Sequence, residues 1–358
     1  MAPCVAAYSW ALGYRQRMAS SGAPASLLLG RREALIFVVS LPVALAGCGT
    51  RDPAVNEPGI DGSGNGGSST NSASTPLPTP TAAPSAQIAR GAALELALAD
   101  LAGTTNTGKQ QAQLSKDQRR LLTAVQAGHL DHAAALQDPN ATNGSPSAPG
   151  PGTVPVDQAL AVLIRRERAA ARGHANAALD SSGSAALLWA SMSVAASRYA
   201  AALGHEGAVP IASSKRGQLP ALSADQAVAE LVAQLHALVY GYQLAIGKLP
   251  VLGKRHARAV AELLRIRILR ERLISILTRR SITVPVPQSA YAASLRVHDA
   301  ASAEKLIARM QTALLPFCGL FVAAATGKDR ELAFDTLAAT AKTARSWGGP
   351  LSAWPGWP

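Results

Sequence analysis

The sequence predicts an all-α protein built from antiparallel helices. Apolar residues make up 48% of the chain but aromatic residues only 4%, so that Ala, Leu and Val supply most of the apolar content. Alanine and leucine are strong helix formers. The alternation of β-branched residues that is typical of strands is missing, and apolar residues instead recur at steps of three and four. Both observations favour helical bundles over sheets.

The amino-terminal segment has the features of an export signal. The pair Arg31–Arg32 precedes an apolar run of 13 residues at 34–46, which is shorter than the roughly 20 residues needed to cross a bilayer. We therefore expect residues 1–47 to be a signal peptide and exclude them from the fold. The arginine pair leaves open whether export follows the general or the twin-arginine pathway, and translation could begin at Met18 rather than at the first methionine.

A lipid-attachment motif ends this signal. It resembles a bacterial lipobox, in which small residues precede a cysteine that accepts a diacylglyceryl group, and consists of Leu45, Ala46, Gly47 and Cys48. The motif predicts a lipid-anchored protein on the extracytoplasmic side of the cell membrane. Residues 48–85 are rich in Gly, Ser, Thr, Asn and Pro and are expected to form a disordered tether. Cys318 is then the one other cysteine of the mature chain, so no intramolecular disulfide is expected.

Two helical regions follow the tether. The first covers residues 86–205 and is predicted to contain four helices, near 86–102, 115–137, 156–180 and 184–204. A segment at 139–155 that is dense in Pro, Gly, Ser and Asn divides them into two hairpins. The pattern does not decide whether this region forms its own bundle or shares one with the second region.

The second region, residues 223–358, is predicted to be an up-down four-helix bundle. An S-x-x-Q capping box at Ser223 starts its first helix, and apolar residues then repeat along one face. The second helix is predicted at 252–280. Asp299 and Asp329 are expected to cap the third and fourth helices.

Several motifs in the second region match a known family. They are Leu238-Val239-Tyr240-Gly241-Tyr242, Arg267 and Arg270-Glu271-x-Leu273, the stretch from Ala341 to Trp347, and Pro355-Gly356. On these residues, the region from Ser223 to Pro358 resembles the ferritin-like domain-of-unknown-function family found in lipoproteins of high-GC Gram-positive bacteria. The resemblance implies a ferritin-like four-helix bundle on an exported protein, with no established activity. The family often has a carboxylate before the histidine of the first helix, where this chain has Leu235 before His236.

Ferritin-like folds prompt a search for a di-metal carboxylate site. Such a site needs Glu-x-x-His on two helices and a glutamate on each of two others. The sequence contains no Glu-x-x-His, and the nearest spacing, Gln126 before His129, places a neutral amide where the carboxylate should be. His129 and His132 share one helix face, which we expect to be polar and solvated. The sequence thus predicts no metal site and no other cofactor.

The strongest charge feature is a row of basic residues on the second helix of the second region. Nine Lys and Arg residues oppose two Glu between positions 254 and 280. Four arginines recur every seven residues, which is nearly two helical turns, and therefore share one face. This basic ridge consists of Lys254, Arg258, Arg265, Arg272 and Arg279. It predicts either an ordinary solvated face or a surface for anionic lipid or wall polymer. Nucleic acid is not expected, because no aromatic platform accompanies the charge.

Two further arginines of this helix lie off the ridge. Arg267 and Arg270 project among apolar residues, so at least one is expected to be partly buried and paired with Glu304, Asp335 or Glu331. A buried ion pair of this kind has a structural role in setting helix register.

Three tryptophans lie in the last twelve residues, at Trp347, Trp354 and Trp357. We expect them to cover the open end of the bundle; the alternative is an exposed patch for a protein partner, whose identity the sequence does not indicate.

No reaction can be inferred from these residues. The sequence lacks a Gly-rich phosphate loop between a strand and a helix, and no catalytic residue is expected. It favours a lipid-anchored envelope protein that acts as a non-catalytic binding or scaffold module. One alternative is a ferritin-like metal-dependent or iron-handling protein. The other is a protein that binds anionic lipid or wall polymer through the basic ridge.

Overall fold

Helices supply the regular secondary structure of the described residues, apart from one isolated β-bridge between Ile211 and Leu351. The computed structural model describes residues 85–107, 112–137, 156–205, 207–212, 216–293 and 295–358. These residues form eight α-helices and no β-strand, which confirms the predicted all-α class. The predicted signal peptide, the lipobox with Cys48 and the tether up to residue 84 lie outside the described residues.

The helices follow one another as two sets of four. The first set comprises α1 (Ser85–Thr105), α2 (Lys116–Leu136), α3 (Val156–Asp180) and α4 (Gly183–Leu203). The second set comprises α5 (Ala224–Ile246), α6 (Lys254–Arg279), α7 (Ala300–Ala324) and α8 (Gly327–Ser346). Seven of the predicted helices begin within two residues of the observed start, because local capping and apolar patterns define these ends.

Side-chain caps define three of the helix starts. Ser115 and Ser223 form capping boxes at the starts of α2 and α5, and Asp299 caps α7 as predicted. The prediction that Asp329 caps α8 is wrong. Thr326 is the N-cap of α8, and Asp329 lies in the first turn, where its carboxylate pairs with Arg280.

The two sets of helices form two bundles whose cores meet. The first core is built around Leu98, Leu122, Leu163 and Tyr199. The second core is built around Leu231, Tyr242, Leu273 and Phe321. Leu187 and Met192 from the first half of α4 join the second core, because α4 packs against α7. Ala92, Leu136 and Ala177 from α1, α2 and α3 also belong to the second core, and α8 contacts α3 and α4, so the two bundles are packed into one compact unit.

Among the described helices, α7 alone is long and apolar enough to cross a membrane by length and composition. Its residues Cys318 and Phe321 are fully buried in the second core, and Pro316 lies inside the helix. This burial is typical of a core helix rather than of a membrane span.

The thiol of Cys318 is expected to resist alkylation in the folded protein. Burial raises its pKa to about 12, although a hydrogen bond with Thr340 acts in the opposite direction. The thiolate is the reactive form of cysteine. Burial therefore protects Cys318 in two ways, because it keeps the reagent away from the sulfur and keeps the thiol protonated at pH 8. Iodoacetamide at pH 8 should leave the Cys318 peptide unmodified in mass spectra of the native chain and modify it after denaturation. Rapid native modification would contradict this packing.

Candidate metal centre

Five titratable side chains meet inside the first bundle. Glu95 comes from α1, His129 and His132 from α2, and Glu167 and His174 from α3. The spacing of three on α2 and of seven on α3 places each pair on one helix face, directed at the bundle interior. Glu95, His129, His132 and Glu167 are 0% exposed and His174 is 3% exposed. Ionisable groups are buried in this way only when they are paired or hold a metal.

The carboxylate of Glu95 lies at the centre of this cluster. Its Oε2 is 2.6 Å from Nδ1 of His129 and 2.8 Å from Nδ1 of His132. Its Oε1 is 2.6 Å from Nε2 of His174. Three imidazole rings from two helices thus converge on one carboxylate.

The Nε2 atom of each α2 histidine, which points away from Glu95, is also held by a hydrogen bond. Nε2 of His129 lies 2.7 Å from Oε1 of Glu167, and Nε2 of His132 lies 2.8 Å from the carbonyl oxygen of Ala353. A carbonyl only accepts, so Nε2 of His132 carries the proton and donates it. Metal-binding histidines usually have this arrangement, in which the outer nitrogen donates to a carboxylate or carbonyl while the inner nitrogen faces the metal.

The electrostatics keep the central carboxylate ionised. Burial by itself would raise the pKa of Glu95, but the charges and hydrogen bonds of His132 and His129 hold it well below its usual value. Burial would likewise lower the pKa of His129, but Glu167 and Glu95 raise it to about 10. Glu95 therefore needs a positive charge beside it, which can be a protonated imidazole or a bound cation.

One polar atom of the cluster has no partner. Oε2 of Glu167 is buried and accepts no hydrogen bond from the residues that the structure describes. A buried polar atom without a partner is rare in native proteins and commonly marks the place of an ion or an ordered water. Glu95, His129 and His132 also have ligand atoms within 4.8 Å of one another. This donor set fits a divalent metal ion, whereas Glu167 lies on the other side of the His129 ring, against Nε2, and is not part of the set.

Aromatic rings hold the three histidines in place. Tyr199 meets His129 edge-on at 5.5 Å between centroids, Trp354 meets His132 at 4.6 Å, and Trp189 stacks on His174 at 5.4 Å. These contacts restrict the imidazole orientations, as preorganised ligands require.

The carboxyl-terminal tail, residues 350–358, closes the cluster from the side of the second bundle. It supplies both the Ala353 carbonyl and the Trp354 ring. The hydroxyl of Ser191 on α4 donates to the carbonyl of Pro355 at 2.5 Å, and Arg198 donates to that of Pro350 at 2.5 Å. Trp347 and Trp354 are buried in the second core and Trp357 packs against it, and Trp354 also contacts His132 of the first bundle.

The expectation of a solvated face for His129 and His132 is wrong. The search for Glu-x-x-His required the carboxylate to come from the same helix, whereas here α1 and α3 supply Glu95 and Glu167. A usable signal was present in the sequence. His129 stands four residues after Val125, which is buried, and therefore continues the apolar face of α2.

The second bundle has a different polar interior. Its buried Glu262 accepts hydrogen bonds from Tyr242, from the indole of Trp347 at 2.6 Å and from Nε of Arg258 at 2.9 Å. In the described part of this bundle, histidines and carboxylates do not gather into a group that could hold a metal. Glu262 is balanced by two neutral donors and by the positive charge of Arg258.

Four of the five residues of the basic ridge are exposed, and Arg258 is the exception. Arg258 is half-buried, pairs with Glu262 and lies over the ring of Trp347 at 5.1 Å from its centroid. It therefore belongs to the interior network rather than to the ridge. The other four members, Lys254, Arg265, Arg272 and Arg279, are exposed on α6.

The prediction that at least one of Arg267 and Arg270 is partly buried and paired is confirmed for Arg270, but none of the expected partners Glu304, Asp335 and Glu331 forms the pair. Arg267 is exposed, and the partly buried Arg270 pairs with its neighbour Glu271 at 2.6 Å instead of crossing to another helix. Glu304 pairs with Arg255. The buried face of α6 is narrower than the sequence pattern suggested, so position 267 falls outside it.

Similarity to known proteins is concentrated in the second bundle. Residues 227–358 match the family model described as a domain of unknown function, DUF4439. A DUF4439 domain is found in this part of the chain. A crystal structure described as a conserved hypothetical protein, rv2844, from Mycobacterium tuberculosis is 28% identical, covers 35% of this chain and 94% of that chain, and has a TM-score of 0.33. A search of curated proteins finds no match.

The DUF4439 domain contributes only its tail to the buried cluster. The five titratable residues precede position 227, outside the matched range, whereas Ala353 and Trp354 lie inside it. The cluster is therefore a property of the first bundle that the family match does not describe.

Proposed function

We propose that the first bundle binds one divalent transition-metal ion through Glu95, His129 and His132. The observation that carries this proposal is the convergence of two Nδ1 atoms on one buried carboxylate oxygen, with both outer nitrogens already fixed. Two histidines and one carboxylate form a ligand set that suits iron and, with a further ligand, zinc. His174 and Glu167 are the neighbouring groups that would complete or orient the set.

This proposal reverses the order of preference that the sequence supported. The sequence favoured a non-catalytic scaffold over a metal protein, because the motif that was searched for requires a glutamate and a histidine on the same helix. The buried cluster in the first bundle supports the metal-binding alternative instead. When bound, the ion would supply Lewis acidity or redox chemistry, while the aromatic rings and the tail exclude bulk water from its ligands.

Metal binding is expected to depend on the cluster and not on histidines in general. After chelation and reloading with Fe²⁺, Mn²⁺ or Zn²⁺, the full chain should retain about one ion, whereas His132→Gln should bind at least tenfold more weakly, a loss typical of disturbed metal sites. The matched control is His298→Gln, because His298 is exposed and remote from the cluster. Equal metal retention by all three proteins would refute the assignment.

We further propose that this module is lipid-anchored on the extracytoplasmic side of the cell membrane. The support is the order of charge, apolar run and small residues that ends at Cys48. Mass spectrometry of the chain isolated from membranes should find an amino terminus at Cys48 carrying diacylglycerol. An unmodified, uncleaved terminus would exclude the anchor and leave the metal site untouched.

A further inference from the structure

The outer face of α6 is unusually apolar. Val260, Leu264 and Ile268 are 45%, 59% and 59% exposed. Their four-residue spacing places them in one line along the helix. The opposite face of α6 buries Leu263, Leu273 and other residues in the second core, so this line is a second apolar stripe. A surface helix of a globular protein normally has charged or polar residues there.

The turn between α5 and α6 continues the apolar surface. Val251 is 75% exposed and Leu252 is fully exposed. Lys248 precedes these two residues and Lys254 follows them, and both lysines are exposed. The tip of the bundle thus carries two exposed apolar side chains between two lysines. Such an arrangement is suited to insertion between charged lipid head groups.

Arginines border the stripe on both sides. Arg265, Arg272 and Arg279 lie along one edge and Arg267 along the other, all exposed. Glu271 is the one carboxylate on this outer face. Arginine side chains beside apolar residues can extend their stems along the apolar surface while the charged group reaches an anionic head group.

From this arrangement, we propose that α6 and the α5–α6 turn form a surface that binds anionic phospholipid membranes. A lipid bilayer offers both partners that the surface requires, negative head groups for the arginines and an apolar layer for Leu252 and Leu264. A second copy of the chain would bring two rows of arginines together, and a soluble acidic polymer would leave the apolar stripe exposed. The surface lies on α6 and shares no residue with the proposed metal ligands, so each proposal can fail independently.

The test is co-sedimentation of the full chain with vesicles of phosphatidylglycerol or phosphatidylcholine. All proteins carry Cys48→Ser, so that acylation contributes nothing and the amino-terminal segment is the same in every comparison. One variant removes charge (Arg265→Gln with Arg272→Gln) and one removes apolar surface (Leu252→Gln with Leu264→Gln). The matched controls are Arg165→Gln with Arg166→Gln on α3, and Val286→Gln, which change exposed residues elsewhere. Circular dichroism confirms that each variant is folded.

We expect binding to phosphatidylglycerol vesicles to fall at least tenfold in both α6 variants and in neither control, with little binding to phosphatidylcholine. Binding that matches the controls in both variants would overturn the proposal. Loss in the charge variant alone, with equally tight binding to soluble polyphosphate, would also overturn it, because it would identify an electrostatic site for acidic polymers. Equal binding to both lipids would exclude the role of the arginines.

Discussion

Replacing Glu95 with glutamine is expected to lower the free energy of unfolding of the metal-free protein by about 3–5 kcal/mol, the range found when one partner of a buried ion pair is removed. Glu95 receives three imidazole nitrogens in a region without solvent access. Glutamine has nearly the same shape, so the change removes charge and not volume. The amide would place donor hydrogens against imidazole donors and leave the buried charge of His129 with one carboxylate in place of two.

The measurement is chemical denaturation in the presence of a chelator, followed by circular dichroism. The matched control is Asp100→Asn, which removes an exposed carboxylate from the same helix and should change stability by less than about 0.5 kcal/mol. The same Glu95→Gln protein should bind no metal. Wild-type stability in this variant would mean that the cluster is not ionised as described.

Replacing Gly319 with alanine is expected to displace the carboxyl-terminal tail and so weaken the metal site from a distance. A Cβ at position 319 on α7 would lie 1.9 Å from the carbonyl oxygen of Gly356, a contact that backbone movement alone can relieve. Overpacking of this kind costs about 1–3 kcal/mol. Because the same tail carries the Ala353 carbonyl that holds His132, metal affinity should fall at least tenfold as well.

Gly173→Ala is the control for this experiment. Gly173 lies exposed on α3 with no atom within 4 Å of a built Cβ, so alanine should stabilise the helix by about 0.5–1 kcal/mol and leave metal binding unchanged. Calorimetry gives both quantities for each variant. A Gly319→Ala protein that is destabilised but binds metal normally would show that the tail does not position His132.

Local sequence signals predicted the helices well. Ser223 illustrates the reason, since its capping box depends on residues within one turn and forms as the sequence suggests. Asp329 shows the limit, because its carboxylate pairs with Arg280 from another helix and Thr326 is the N-cap. Contacts between helices were not available from the sequence.

The candidate site was missed for the same reason. His129 and His132 look solvent-facing when only the neighbouring Asp131 is considered, and their burial depends on carboxylates 34 and 38 residues away from His129, at Glu95 and Glu167. The tail that closes the cluster is more distant still, since His132 and Ala353 are 221 residues apart. Arg258 was assigned to the ridge because helical spacing places Glu262 one turn away but does not reveal that Glu262 is buried or that Trp347 lies beside the arginine.

Metal analysis of the chain as isolated, combined with X-ray absorption at the edge of the metal found, tests the central claim most directly. The account predicts close to one transition-metal ion per chain, with scattering from two or three imidazoles and with oxygen ligands. An intact, folded chain that holds less than about a tenth of an equivalent, and takes up none from Fe²⁺, Mn²⁺ or Zn²⁺, would contradict it and leave the five buried residues as a hydrogen-bonded core.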